Sequence, residues 1–171
     1  MLPGDPVTLR PPRDADLALL ASLRNDVGLQ AQLLAQPRPS GLERVREWVS
    51  CRASDPAGAF FVIAESATDE AAGYVQLTAM DPWNGHAELG ICLGPAHQGK
   101  GFGQAALALL EGYARRVFGL RKLVLRVRAD NARAVAAYRA RGFREVGVFQ
   151  DHFRYDGGYH DVALMEKALA P

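Results

Sequence analysis

Apolar and polar positions alternate from residue 87 to 93, with Ala87, Leu89, Ile91 and Leu93 on one side of the chain. That is the pattern of a half-buried strand. Gly94 and Pro95 end it. After Gly103 the period becomes helical, with Leu107, Leu110, Ala114 and Val117 on one face and Gly119 as the C-terminal cap. Upstream, Val7–Arg10 alternates as a first strand, and Pro11-Pro12 stops it. From Asp14 a helix is predicted, with Leu17, Leu20 and Leu23 inward and Asp14 and Asp16 at its start, where negative charge is favoured. Residues 28–39 hold no consistent period. Ser40 and Glu43 have the spacing of a capping box, opening a second helix striped by Leu42, Val45, Trp48 and Val49.

Ala59–Glu65 and residues 73–79 read as two strands of a hairpin, and residues 81–85 as the turn into the strand at 87. A fifth strand is expected at 122–127 and a helix at 131–141 closed by Gly142. Two last strands are expected at 144–149 and 161–167, joined by a loop of Asp, Arg, Tyr and Gly. The order is β-α-α-β-β-β-α-β-α-β-β. A meander combined with crossover helices predicts a mixed sheet in one α/β (α+β) domain covering residues 1–171.

Composition narrows the function. The 171 residues carry 20 Lys and Arg against 19 Asp and Glu, interspersed, so no basic stripe calls for nucleic acid. No apolar run reaches membrane-spanning length, and the start Met-Leu-Pro-Gly-Asp-Pro lacks the form of a signal peptide, so a cytoplasmic protein without a membrane partner is expected. Cys51 and Cys92 give neither a disulfide framework nor metal-ligand spacing, and both read as core or near-core thiols. No metal is expected.

The chemistry concentrates in Gln98-Gly99-Lys100-Gly101-Phe102-Gly103, between strand and helix. Glycines let backbone N–H groups turn inward, and a helix's first turn offers unpaired donors at a positive dipole end, so the stretch suits a phosphate. Gly94 to Lys100 has P-loop spacing, but Gly101 stands where a Ser or Thr must hold Mg²⁺. The dinucleotide fingerprint also fails, since the glycines fall at 99, 101 and 103. The spacing Gln98, Gly101, Gly103 instead resembles the pyrophosphate loop of the GNAT family of N-acetyltransferases. A second stretch, Asn131, Ala134, Tyr138, Gly142 and Phe143, resembles that family's other motif and follows a strand as the family requires.

The resemblance spans nearly the whole chain. It implies a mixed, largely antiparallel seven-stranded sheet flanked by four helices, with the strands at 87–93 and 122–127 parallel and splayed apart. It implies acetyl-coenzyme A as co-substrate, held by backbone groups of Ile91, Cys92 and Leu93, by Gln98, Gly99, Lys100, Gly101, Phe102 and Gly103, and by Asn131, which also suits an N-cap. It implies Tyr138 as the acid near the coenzyme sulfur, with core packing as the alternative for that ring. Glu88 is a candidate base on the strand face opposite Leu89 and Ile91; a solvated strand glutamate is the alternative. His86 and His97 rival it by pKa alone, His97 more as a support for the loop, and His152 and His160 flank the last loop.

The short matches around Leu9-Arg10-Pro11, Ala87-Glu88-Leu89 and residues 158–165 resemble the branch with spermidine acetyltransferases and ribosomal-protein N-terminal acetyltransferases. Polyamine enzymes of that branch carry acidic residues after the first helix, where this chain has the single carboxylate Asp26. A small amine, an amino sugar or a peptide N-terminus is therefore the expected acceptor, with Trp83, Phe153 and Tyr155 as candidates to shape its pocket. A polyamine-specific enzyme, a non-catalytic acyl-coenzyme A binding module and a degenerate P-loop protein are the alternatives. Homodimers are common in the family.

Overall fold

A computed structural model describes residues 1–169. Among them seven strands form one sheet in the order β1-β2-β3-β4-β5-β7-β6. They are β1 (Val7–Arg10), β2 (Ala59–Glu65), β3 (Ala71–Asp81), β4 (His86–Leu93), β5 (Lys122–Arg128), β6 (Arg144–Tyr155) and β7 (Gly158–Ala168). All neighbours are antiparallel except β4 and β5, which run parallel. The helices are α1 (Leu17–Asn25), α2 (Val27–Gln32), α3 (Leu42–Ser54), α4 (Phe102–Phe118) and α5 (Ala132–Ala140). No helix among the described residues is long and apolar enough to cross a membrane.

Strand alternation gives the sheet two faces. On one, Leu17, Leu20 and Leu23 of α1 and Val45 and Val49 of α3 pack against Phe60, Tyr74 and Cys92. Trp48 meets Phe60 and Tyr74 edge-on, at 5.3 and 5.4 Å between ring centres. On the other, Ala106, Leu107, Leu110 and Ala114 of α4 cover Val75, Leu77, Leu89, Leu123 and Leu125. Leu110, Leu120 and Leu123 are fully buried, and each such side chain contributes about 1.5–3 kcal/mol. Arg10, 3 % exposed, binds Asp16 at 2.8 and 2.9 Å and Asp69 at 2.8 Å. It ties β1 to the start of α1 and to the β2–β3 turn.

Four expectations change. A fifth helix, α2, lies in the stretch without clear period. Asp26 caps it by accepting from the Leu29 N–H at 2.9 Å, and Leu34 leaves it with φ of 57°. The capping box at Ser40 does not form: Gly41 is the N-cap, without a side-chain cap. The Asn25 amide instead clasps the Ser40 backbone through N–H and C=O, both at 2.9 Å, and the Ser40 hydroxyl donates to Arg38 C=O. The loop expected after residue 149 is a continued hairpin. Asp156 and Gly157, at φ of 49° and 76°, make its two-residue turn, and the register shifts between Phe149 and Phe153. Cys51 is exposed rather than near-core; Cys92 is buried.

Candidate active site

β4 and β5 share only three residue pairs, His86 with Lys122, Ala87 with Leu123 and Glu88 with Val124. Beyond Glu88, β4 continues with β3 and β5 with β7, and a gap opens between them. The direction of the peptide groups along it follows from one bond. Gly94 N–H donates to Ala72 C=O at 2.9 Å, so the alternation of an antiparallel ladder turns the Cys92 peptide groups to β3 and those of Ile91 and Leu93 into the gap. Leu93 C=O accepts there from Gln98 Nε2 at 2.9 Å.

The glycine loop forms one lip. Gly99 and Gly101 have φ of 76° and 80°, a left-handed backbone that glycine adopts without cost. A β-carbon on either would meet nothing within 4 Å. Gly101 is the N-cap of α4 and supplies no side-chain cap, so the first-turn N–H groups lack that partner. Phe102 is buried and stacks on His97, so this pair anchors the loop from beneath. Gln98 Oε1 accepts from Arg133 at 2.8 Å, joining the loop to α5. Asn131 caps α5 by accepting from Ala134 N–H at 3.1 Å.

A cavity of about 630 Å³ runs through the gap. Ile91, Cys92, Leu93, Gln98, Gly99, Gly101, Gly103, Asn131, Tyr138 and Glu88 all line it. Lys100, exposed, and Phe102 do not. Tyr138 lines the cavity, its ring meets Phe143 edge-on at 5.7 Å, and its hydroxyl has no hydrogen bond to another described residue. Burial first, then the Cys92 thiol, pushes this phenol up to about 12. Burial pushes the Cys92 thiol up to about 12 as well. Glu88 accepts from Arg126 Nε at 2.9 Å and from its Nη2 at 3.3 Å, so the carboxylate at the closed end of the gap is fixed by a fork of two bonds.

The histidines and the expected aromatics lie elsewhere. His86 sits 3.8 Å from Asp81, and His152 lies against Phe149. His160 binds Asp130 at 3.0 Å beside a smaller hollow that Tyr155 lines. Trp83 is 95 % exposed. The far wall of the main cavity consists of Arg24, Trp48, Arg52, Tyr74, Gln76 and Arg126, which the sequence reading did not single out. Trp48 and Arg52 are one turn apart on α3, and Tyr74, Gln76 and Thr78 share one face of β3. Polar residues at alternate positions of an otherwise apolar strand are the signal that marks this wall.

A parallel pair that opens halfway, with a donor-rich glycine loop on its lip, defines a transferase that seats a phosphate-bearing acyl carrier. Residues 7–144 match the family model described as Acetyltransferase (GNAT) domain, and the chain belongs to that family. It is an N-acetyltransferase whose co-substrate is acetyl-coenzyme A. The chain is 30% identical to spermidine N(1)-acetyltransferase of Vibrio cholerae over 159 residues, 93% of this chain and 91% of that one. A crystal structure of spermidine N-acetyltransferase from Vibrio cholerae with CoA and spermine superposes with a TM-score of 0.89 at 27% identity, covering 97% of each chain. The ribosomal-protein-serine acetyltransferase of Escherichia coli is 31% identical over 102 residues, 59% of this chain and 56% of that one.

Proposed function

We propose that the chain moves the acetyl group of acetyl-coenzyme A straight to a primary amine, with both substrates bound together. The single observation that carries this reading is the continuity of the cavity. It extends from Gly99 and Gly101, past Tyr138, to Glu88 and Arg126. In this reading the N–H groups of Gly99 to Gly103, with Gln98 and Lys100, hold the pyrophosphate, and the gap-facing peptide groups of Ile91 and Leu93 hold the arm. Asn131 lines the arm's path and keeps the start of α5 in place.

An alkyl ammonium, with a pKa of about 10, must lose a proton before it attacks. Glu88, directly or through water, takes that proton. The amine nitrogen bonds to the thioester carbon as the C–S bond breaks. The sulfur leaves as a thiolate and takes the Tyr138 hydroxyl proton; the newly acylated nitrogen gives up its second proton to restore that hydroxyl, and Glu88 passes the first to solvent. A free thiol, at about 8.5, would be a poor match for a phenol near 12. Cys92 supports the match, because a thiol in these surroundings is itself pushed up to about 12. Desolvation raises the basicity of a coenzyme thiolate in the same direction. Holding amine and thioester together supplies much of the remaining acceleration.

A polyamine acceptor is the second reading, favoured by the similarity to spermidine acetyltransferases over most of the chain. The test is release of free coenzyme A thiol with a panel of primary amines that includes spermidine. Turnover with an amine is expected. Acetyl-coenzyme A binding without turnover on any amine would leave only a binding module.

A further inference from the structure

We propose that the acceptor amine also carries an anionic group, a carboxylate or a phosphate, which sits on Arg24 and Arg52. The inference rests on the transfer reading above and names the substrate class of that site. Four arginines line the cavity, and two are engaged: Arg126 with Glu88 and Arg133 with Gln98. Arg24 and Arg52 have no ion pair with a carboxylate among the described residues. The Arg24 guanidinium lies over the Trp48 ring at 4.5 Å, a cation–π contact that holds it against the wall. Its Nε is buried and has no hydrogen-bond partner. Among the described residues, Arg24 and Arg52 therefore bring two guanidinium groups without a carboxylate partner to one wall of the cavity, and an oxyanion would supply the missing counter-charge. Burial, with Arg44 and Arg52 nearby, pulls its pKa below the ordinary 12.5, the response of a cation that lacks its counter-charge.

The other charges around the cavity agree. Asp26, near enough to influence Cys92, is exposed and caps α2. Glu88 stands at the reacting end, where the amine must arrive. The cavity thus carries a balanced Glu88–Arg126 pair where the ammonium enters the gap and, among the described residues, two unpaired cations at the α1–α3 wall. A compact amine with an anionic tail fits both ends. A polycation would set its second ammonium against Arg24 and Arg52.

The test uses the full chain, acetyl-coenzyme A and matched acceptor pairs: a dipeptide against its C-terminal amide, glucosamine 6-phosphate against glucosamine, with spermidine alongside. In at least one pair the anionic member should have a kcat/KM about tenfold or more above its partner, as two charge-assisted bonds allow. The responding pair tells carboxylate from phosphate. Arg24→Gln, Arg24→Lys and Arg52→Gln should bring that ratio toward one, through KM of the anionic member. Arg116→Gln, on the exposed side of α4, should leave it unchanged. Each ratio is taken within one variant, so a loss of folded protein cancels. Spermidine turned over better than every anionic amine, or a ratio that survives in all three variants, overturns the proposal while leaving acetyl transfer intact. No turnover on any amine removes both.

Discussion

At the scale of single residues the site depends on protons kept in place. The Tyr138 hydroxyl, pushed up to about 12 by burial, stays protonated throughout the neutral range. Tyr138→Phe keeps the ring on Phe143 and deletes only the donor. If the phenol protonates the leaving thiolate, kcat should fall by about 10²–10⁴ while KM for acetyl-coenzyme A stays within roughly twofold. Unchanged turnover would take Tyr138 out of the mechanism. The residues around it differed in how plainly the sequence displayed them. Gln98, the glycines, Asn131 and Tyr138 stand in two fixed spacings, so their types and order are visible in the chain. Arg24, Trp48 and Gln76 come from three elements distant in sequence, and only the packing of α1 and α3 on β3 brings them to one wall. Charged residues on helices read as solvated faces until a ring such as Trp48 is found beneath them.

At the scale of elements, helices and strands with an apolar stripe were legible, and elements without one were not. Hydrophobic period marked β1, β2, β4, β5, α1, α3, α4 and α5 to within a few residues. All of β6 is largely exposed; its first half is legible through Val146, Val148 and Phe149, whereas the mostly polar residues from Gln150 onward leave no apolar alternation and read as a loop. α2 has six residues, fewer than two turns, too short for a period to appear. The splay is an element-scale property that no pattern in the chain encodes. It depends on β3 holding β4 closely while β5 departs. Gly73 is the tightest point of that hold: a β-carbon there would come within 2.1 Å of the Cys92 carbonyl oxygen. Gly73→Ala must push the two strands apart. A loss of about 3 kcal/mol or more is expected, a fall in Tm of roughly 6–12 °C for a chain of this size. A wild-type melting curve for this variant would contradict the close packing of β3 on β4.

Over the whole molecule, stability should have a plateau bounded by two groups of side chains. Cys92, Tyr74 and Tyr138 hold their protons more tightly when folded, chiefly through burial. Their contribution is complete below the ordinary values of 9.0 for the thiol and 10.0 for the phenols, and is lost as pH rises toward the folded values, about 12 for Cys92 and Tyr138. Asp69, bonded to Arg13, Asp81 to Asn84, Asp130 to Arg128 and Glu166 to Lys122 hold theirs less tightly. Their contribution is present above the ordinary 3.8 for Asp and 4.5 for Glu and is lost as pH falls through that range. Calorimetry should find Tm level between about pH 5.5 and 8.5 and falling on both sides. In Cys92→Ala the alkaline fall should begin about one unit later; a Tm that climbs from pH 8 to 11 would refute the assignment. The half-open pair leaves one more trace on the molecule. Ile91 and Leu93 sit in the middle of a seven-stranded sheet, yet their amides face no strand, whereas that of Cys92 does. Deuterium should therefore replace the amide hydrogens of Ile91 and Leu93 rapidly and that of Cys92 slowly, an odd-even rhythm along one strand. Acetyl-coenzyme A in the gap should slow the fast ones, and the rhythm would disappear.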